Sequence, residues 1–265
     1  MNAPSANKDR LLAATYATID LPTYPEDTQI IQHDGWYQIL TPSLPEISAN
    51  EVFVSDLEGM KETEIKKKVE ATFALYRKHE VPFKWSIGPM SSPPFLETEV
   101  AKRATESWNF RGMTIDSDTT LPPSEGITPS GITIEPVDSS NFEEFLEVQV
   151  NGWNFQNFRE QVQNRLMKSI THPNCEFFLA RKDGQAIGAA GTVFKQQHGF
   201  LVSAVVLKEH RGSGAYRALV RARLEDLQQR GLSFAVTQAR ESTSARVLER
   251  LGFETVFQAK IYRTD

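Results

Sequence analysis

The chain has 265 residues, a formal net charge of −5, 40% hydrophobic and 24% charged residues, and one cysteine. That length supports one large domain or two modest ones, each able to bury a core. The absence of a basic excess argues against nucleic acid as a partner, and no apolar run approaches a membrane span, so no membrane partner is expected. The lone Cys175 excludes an intrachain disulfide and fits a reducing compartment, and the expected location is the cytoplasm.

Residues 1–12 read as a loose, polar start without the apolar stretch of a signal peptide. Residues 62–79 read as an amphipathic helix, with Ile65, Val69, Phe73 and Tyr76 at helical spacing and Lys66–Lys68 on a solvated face. Residues 81–87 read as a strand punctuated by Gly88-Pro89, residues 95–108 as a second helix, and 113–115 as a short strand. The stretch LPPSEGITPSG at 121–131 reads as a linker, which divides the chain into an N-terminal domain (1–120) and a C-terminal domain (132–265).

After the linker, 132–136 is a strand, 141–150 a helix carrying Phe142, Phe145, Leu146 and Gln149, and 159–170 another helix. Strands 177–181 and 187–194 flank Lys182-Asp183-Gly184, a hairpin turn signal. Residues 200–207 form a strand and 216–230 a helix with Tyr216, Leu219, Val220, Leu224 and Leu227 in one stripe, stopped by Gly231. A strand at 233–238, a short helix at 244–251 with Ser244 as a possible N-cap, and strands at 254–257 and 259–263 close the chain. The expected class is mixed α/β. Helix, strand, helix, strand at 62–115 and again at 216–257 raises the question of a distant internal repeat.

The stretch that carries chemistry is VVLKEHRGSGAYRAL, 205–219. A β-branched strand ends, a glycine-rich turn follows, and an amphipathic helix starts directly. Glycines let a backbone approach a ligand closely, and the first N–H groups of a helix lack intrahelical partners. With the helix dipole they make an anion site suited to a pyrophosphate, to which Arg211 adds positive charge. A plain glycine-rich turn without a ligand is the competing reading. The pattern is neither a P-loop nor G-x-G-x-x-G. The five histidines (His33, His79, His172, His198, His210) show no metal-ligand spacing, so no metal is expected.

This stretch resembles the coenzyme A motif of the GNAT acetyltransferase superfamily, [RQ]-x-x-G-x-[GA]: Arg211 takes its first place and Gly214 its fourth. Tyr216 takes the sixth, where Gly or Ala is usual. Residues 243–253 (TSARVLERLGF) resemble the family's closing helix and its L-G-F ending. The resemblance covers roughly 130–262 and implies two neighbouring parallel strands, 200–207 and 233–238, that splay apart around the pantetheine arm of acetyl-CoA. It further implies that Val205, Val206 and Leu207 bond that arm and that Gly212, Ser213, Gly214, Ala215 and Tyr216 hold the pyrophosphate. Ser244 either contacts the arm or caps its helix.

The implied chemistry is direct attack of an amine on the thioester, which needs a base, a donor for the carbonyl oxygen and a proton for the leaving thiolate. Many members place a tyrosine five residues before the Phe of L-G-F. Here that position is Leu248, and 200–207 contains no acid. The catalytic residues therefore do not carry over, and the candidates are Ser203, Glu209, His210, Tyr216, Glu241 and Tyr262, or a water chain. VPFKWSIGP at 81–89 and Phe110-Arg111-Gly112-Met113 resemble the degenerate first half of tandem GNAT proteins, which implies an N-terminal half without coenzyme. Trp85 and Trp108 are expected in the core. Trp153, Phe155 and Phe158 either line an acceptor pocket or pack.

The expected activity is N-acetyl transfer from acetyl-CoA to a small-molecule or protein amine, by a monomer or homodimer. A catalytically weak acyl-CoA-binding pseudo-acetyltransferase, and a transferase of longer acyl chains, are the alternatives.

Overall fold

The structure, a computed structural model, describes residues 3–18, 21–22, 24–122 and 131–264. Residues 123–130, most of the expected linker, lie outside the described residues. The elements in chain order are α1 (Ala3–Thr15), β1 (Gln29–His33), β2 (Trp36–Leu40), β3 (Glu51–Asp56), α2 (Glu62–Lys78), β4 (Phe83–Ile87), β5 (Ser91–Ser92), α3 (Pro94–Ala101) and β6 (Glu106–Asp116). They continue with β7 (Ile132–Pro136), α4 (Phe142–Trp153), α5 (Arg159–Ile170), β8 (Cys175–Lys182), β9 (Gln185–Phe194), β10 (His198–Val206), α6 (Ala215–Gln229), β11 (Phe234–Arg240), α7 (Ser244–Arg250) and β12 (Glu254–Thr264). The class is mixed α/β, as the alternation of patterns implied.

The chain forms two compact units. The first comprises Met1–Thr23, Met113–Gln238 and Arg246–Val256; the second comprises Tyr24–Gly112, Ala239–Ala245 and Phe257–Asp265. In the first unit the strand order is β7-β8-β9-β10-β11-β6, antiparallel from β7 to β10 and parallel between β10 and β11. The β8–β9 hairpin turns on Asp183 and Gly184, both at positive φ (+52° and +82°), the geometry that a two-residue turn requires. Side chains alternate across the strands, so each face of this sheet takes its own helix. Ala180, Ile187, Ala190 and Val206 pack against Ala215 and Leu219 of α6. On the other face, Phe177 meets Phe145 of α4 at 5.4 Å between ring centroids. Small residues in β9 and β10 permit this closeness: a Cβ on Gly191 would lie 2.5 Å from the Phe177 ring, and one on Gly199 2.4 Å from Leu227. Arg223 of α6 is buried in this core, its Nε donating to the Leu219 carbonyl at 3.0 Å. Burial pulls its guanidinium down to about 10.

The second unit has the order β1-β2-β3-β4-β12-β6. Its core joins Trp36, Phe73, Tyr76, Phe83 and Trp85, with Tyr76 stacked on Phe83 at 3.9 Å and Trp36 edge-on to Trp85 at 5.6 Å. Trp85 is a core residue, as expected. Trp108 is only half-buried, with Arg240 over its ring at 4.5 Å.

Several expectations are corrected. The loose start is helix α1, fixed by tertiary contacts: Arg10 pairs with Asp116 and covers the Phe234 ring at 5.0 Å, and the Ala14 carbonyl accepts from Gln238 at 3.1 Å. The helix expected over 95–108 ends at Ala101, and Trp108 lies inside the eleven-residue strand β6. A single strand, β12, replaces the two expected over 254–263. β1, β2 and β3 went unread, although Asp34-Gly35 between β1 and β2 is a hairpin signal and Gly35 sits at φ +67°.

Candidate functional site

The site is assembled where β10 runs out. β10 pairs β11 only at its beginning, His198–Phe200 against Phe234–Val236, with one further tie from the Thr237 hydroxyl to the Leu201 carbonyl at 2.9 Å. Both strands continue within the first unit, β10 to Val206 and β11 through Gln238, with no further paired residues among those described. The parting expected of strands 200–207 and 233–238 is therefore present.

Within β10 the register against β9 shifts between Val202 and Val205. One extra residue is accommodated there as a β-bulge, and Ser203 takes φ +54°. Before the shift, the Lys195 N–H donates to the His198 carbonyl at 2.9 Å, so even-numbered residues of β10 exchange bonds with β9. After it, the Leu207 N–H donates to the Ile187 carbonyl at 2.9 Å, so odd-numbered residues do. Val206 therefore turns its N–H and C=O away from β9, toward the side β11 has left. Its carbonyl is met there by Arg211 Nε at 3.4 Å. Of the three residues expected to bond a ligand arm, Val206 thus offers an N–H to the gap, while Val205 and Leu207 spend theirs on β9.

The bulge is not free. A left-handed backbone costs a residue with a Cβ roughly 1–2 kcal/mol. It is compensated from α4: the Gln149 side-chain amide donates to the Ser203 carbonyl at 2.9 Å. Three positions along, Gly152 lies so close to the strand that an added Cβ would meet Val205 Cγ2 at 2.4 Å. Sequence reasoning read Gln149 only as part of a helix face. The signal was a polar residue in an apolar stripe.

From Val206 the chain passes through a 3-10 turn, Lys208–His210, into Arg211–Gly214 and then α6. Gly212 and Gly214 hold φ +82° and +90°. The N–H groups of Gly212, Gly214, Tyr216 and Arg217 find no acceptor among the described residues. That of Ala215 reaches only Ser213 Oγ at 3.4 Å. The first turn of α6 carries no acid, and Arg211 and Arg217 flank it. Unpaired donors, the helix dipole and two nearby guanidinium groups are the set that an anion receptor would need. The corresponding helix of the second unit, α2, is built oppositely. Glu62 and Glu64 occupy its first turn, and Glu64 Oε2 accepts the Lys61 N–H at 3.0 Å, so the end is already neutralised by a carboxylate.

The structure brings Ser203, Val205, Val206, Leu207, Glu209, His210 and Arg211–Tyr216 together on one continuous stretch of the first unit. Glu209 is exposed and His210 half-exposed on the 3-10 turn. Tyr216 packs against the Val206–Leu219 cluster, and burial pushes its phenol above the usual range. The remaining candidates belong to the second unit. Tyr262 donates to Glu97 Oε1 at 2.6 Å, Glu241 pairs with Arg111 at 2.9 Å, and Ser244 is the first residue of α7. Leu248, at the position where a tyrosine was sought, is buried. Cys175 is buried, and its thiol is pushed up to about 11, which removes it as a nucleophile at neutral pH. Trp153 is 45% exposed at the end of α4, with Phe155 and Phe158 half-buried just beyond it. No cluster of metal-binding side chains occurs among the described residues, and none of their helices is long and apolar enough to cross a membrane.

Residues 139–253 match the model of the Acetyltransferase (GNAT) family. No curated protein matches the sequence. Among solved structures, the chain is similar to a GCN5-related N-acetyltransferase from Kribbella flavida at 13% identity (TM-score 0.67, covering 96% of each chain). It is similar to a GCN5-related N-acetyltransferase from Sphaerobacter thermophilus at 17% identity (TM-score 0.66, covering 99% of this chain and 92% of that one). A tandem GNAT protein from the clavulanic acid biosynthesis pathway is similar at 16% identity (TM-score 0.60, covering 99% and 95%). At these identities the likeness is one of fold.

Proposed function

Residues 139–253 form a GNAT-family domain, and from that premise we propose that the protein is an N-acetyltransferase carrying an acetyl group from acetyl-CoA to an amine by direct attack. The family and the fold support acyl transfer in general; the acetyl donor and the amine acceptor are our reading. The observation that carries it is the parting of β10 from β11 immediately before a turn with unpaired N–H groups. A ligand with a diphosphate at one end and a thin polar arm at the other fits that arrangement.

When bound, acetyl-CoA supplies an activated thioester. The N–H groups of Gly212, Gly214, Tyr216 and Arg217 hold the diphosphate, with Arg211 adding charge. The Val206 N–H faces the gap and is placed to bond the arm or the thioester oxygen as charge develops there. Tyr216, whose phenol stays protonated, suits a donor rather than a base. Ser203, Glu209 and His210 remain the candidates for taking the amine's proton, directly or through water. The second unit, whose α2 begins with a capped and acidic turn, does not bind coenzyme in this reading.

The test is thiol release from acetyl-CoA across a panel of small amines and lysine-containing peptides, with propionyl- and octanoyl-CoA alongside and binding followed by calorimetry. Release that depends on an amine and is fastest with acetyl-CoA is the expected result. Binding without release under every amine would point instead to the acyl-CoA sensor, and faster release with a longer chain would replace acetyl by that acyl group. No binding of any acyl-CoA would end the proposal.

A further inference from the structure

The bulge in β10 decides where the Val206 N–H points, so whatever fixes the bulge governs the gap. We propose that Gln149 of α4 is a positioning residue for the coenzyme's arm, holding the Ser203 carbonyl so that Val206 presents its N–H to the space between β10 and β11. This rests on the acyl-CoA reading above and deepens it at the same site.

The geometry supports the role in three ways. Gln149 is 3% exposed, so its amide is committed to the protein interior rather than to solvent. Its one side-chain hydrogen bond among the described residues, 2.9 Å to the Ser203 carbonyl, lands on the residue with the left-handed backbone. The acceptor is a carbonyl, so the amide nitrogen must donate, and neither an apolar nor an acidic residue of the same size would serve. Gly152, one turn further along α4, brings the helix against Val205 on the far side of the bulge. α4 thus grips the strand at both ends of the extra residue. Without that grip, the register that pairs even-numbered residues before Val202 could continue to the strand's end and return the Val206 N–H to β9. The anion receptor at Gly212–Arg217 lies beyond this point and has its own backbone bonds, so its shape does not depend on Gln149.

The division between arm and diphosphate gives a selective test. Gln149→Met keeps the side chain's length and removes its donor. Binding of acetyl-CoA and of 3′-phosphoadenosine 5′-diphosphate, which lacks the arm, is measured by calorimetry on wild type and variant. The expected result is about a tenfold loss of acetyl-CoA affinity with the affinity for the nucleotide unchanged. Equal losses for both ligands would assign Gln149 a structural role, and no loss for either would remove it from the site; each overturns the inference while leaving the acyl-CoA reading standing. Wild type that binds neither ligand overturns both. Gln149→Asn, which keeps an amide but shortens its reach, is measured in parallel and decides the matter if Q149M does not fold: a smaller loss confined to acetyl-CoA is expected, and an equal loss for both ligands refutes the role.

Discussion

Replacing Gly214 tests the proposed anion receptor at the residue that opens α6. Gly214 is the residue before α6 and holds φ +90°, a conformation that costs a side-chain-bearing residue about 1–2 kcal/mol. Gly214→Ala therefore has two courses. It keeps the backbone and loses that much stability, or it relaxes to negative φ and swings the neighbouring peptides, turning at least one N–H out of the receptor. A hydrogen bond to a charged group contributes about 1.5–3 kcal/mol, so one lost donor weakens coenzyme binding by roughly tenfold to a hundredfold. Gly214→Val adds bulk at the mouth and lowers affinity further. The assay is calorimetric titration with coenzyme A, paired with urea unfolding of the free protein. Expected are a loss of no more than about 2 kcal/mol in stability and at least a tenfold loss in affinity. A folded Gly214→Val variant that binds coenzyme A like wild type would show that the diphosphate is not held at this turn.

Three further outcomes follow from the structure. Cys175 is buried with its thiol raised to about 11, so it should resist a disulfide reagent in the native protein at mildly alkaline pH and react at once in denaturant; rapid native labelling would contradict its packing. Leu248 is 2% exposed, and Leu248→Ala should cost about 2–5 kcal/mol in urea unfolding as a core truncation; a cost near zero would contradict that packing. Arg181 bonds both oxygens of Glu144, at 2.8 and 2.5 Å, and holds its carboxyl below the ordinary value of 4.5. A depressed carboxylate contributes stability above its unfolded value and loses it as the pH falls through the lower folded one, so the urea midpoint should drop with acidification below about 4.5. Arg181→Met should make that drop shallower, and an identical acid limb in the variant would refute the assignment.

The sequence disclosed those parts of the fold in which local chemistry and tertiary structure agree. Asp183-Gly184 takes the positive φ values that its hairpin needs, and α2 buries Ile65, Val69, Phe73 and Tyr76 at the spacing that predicted the helix. The turn at Arg211–Gly214 is legible for the same reason, since only glycine takes those dihedrals without strain. What was missed is decided by partners far away in sequence. α1 has little apolar stripe and is held by Asp116, Phe234 and Gln238. Trp108 reads as helical by spacing but sits in a strand. The bulge was hidden most deeply, because nothing in Phe200–Val206 announces that Ser203 will turn left-handed. Only Gln149, an amide among the phenylalanine and leucine positions of α4, hinted that the strand beneath had a carbonyl to satisfy.

The extra residue of β10 makes the aim of the Val206 amide a matter of register. Exchanging Ser203 for another side chain alters one group, whereas a slip that absorbs the extra residue into regular pairing would reverse the parity of every position that follows and turn the Val206 amide onto β9. A chain that slipped in this way would keep hydrophobic composition, helices and glycine turn intact and still lose the donor that faces the gap. Pairing register, more than residue identity, therefore decides what the end of β10 offers to its surroundings.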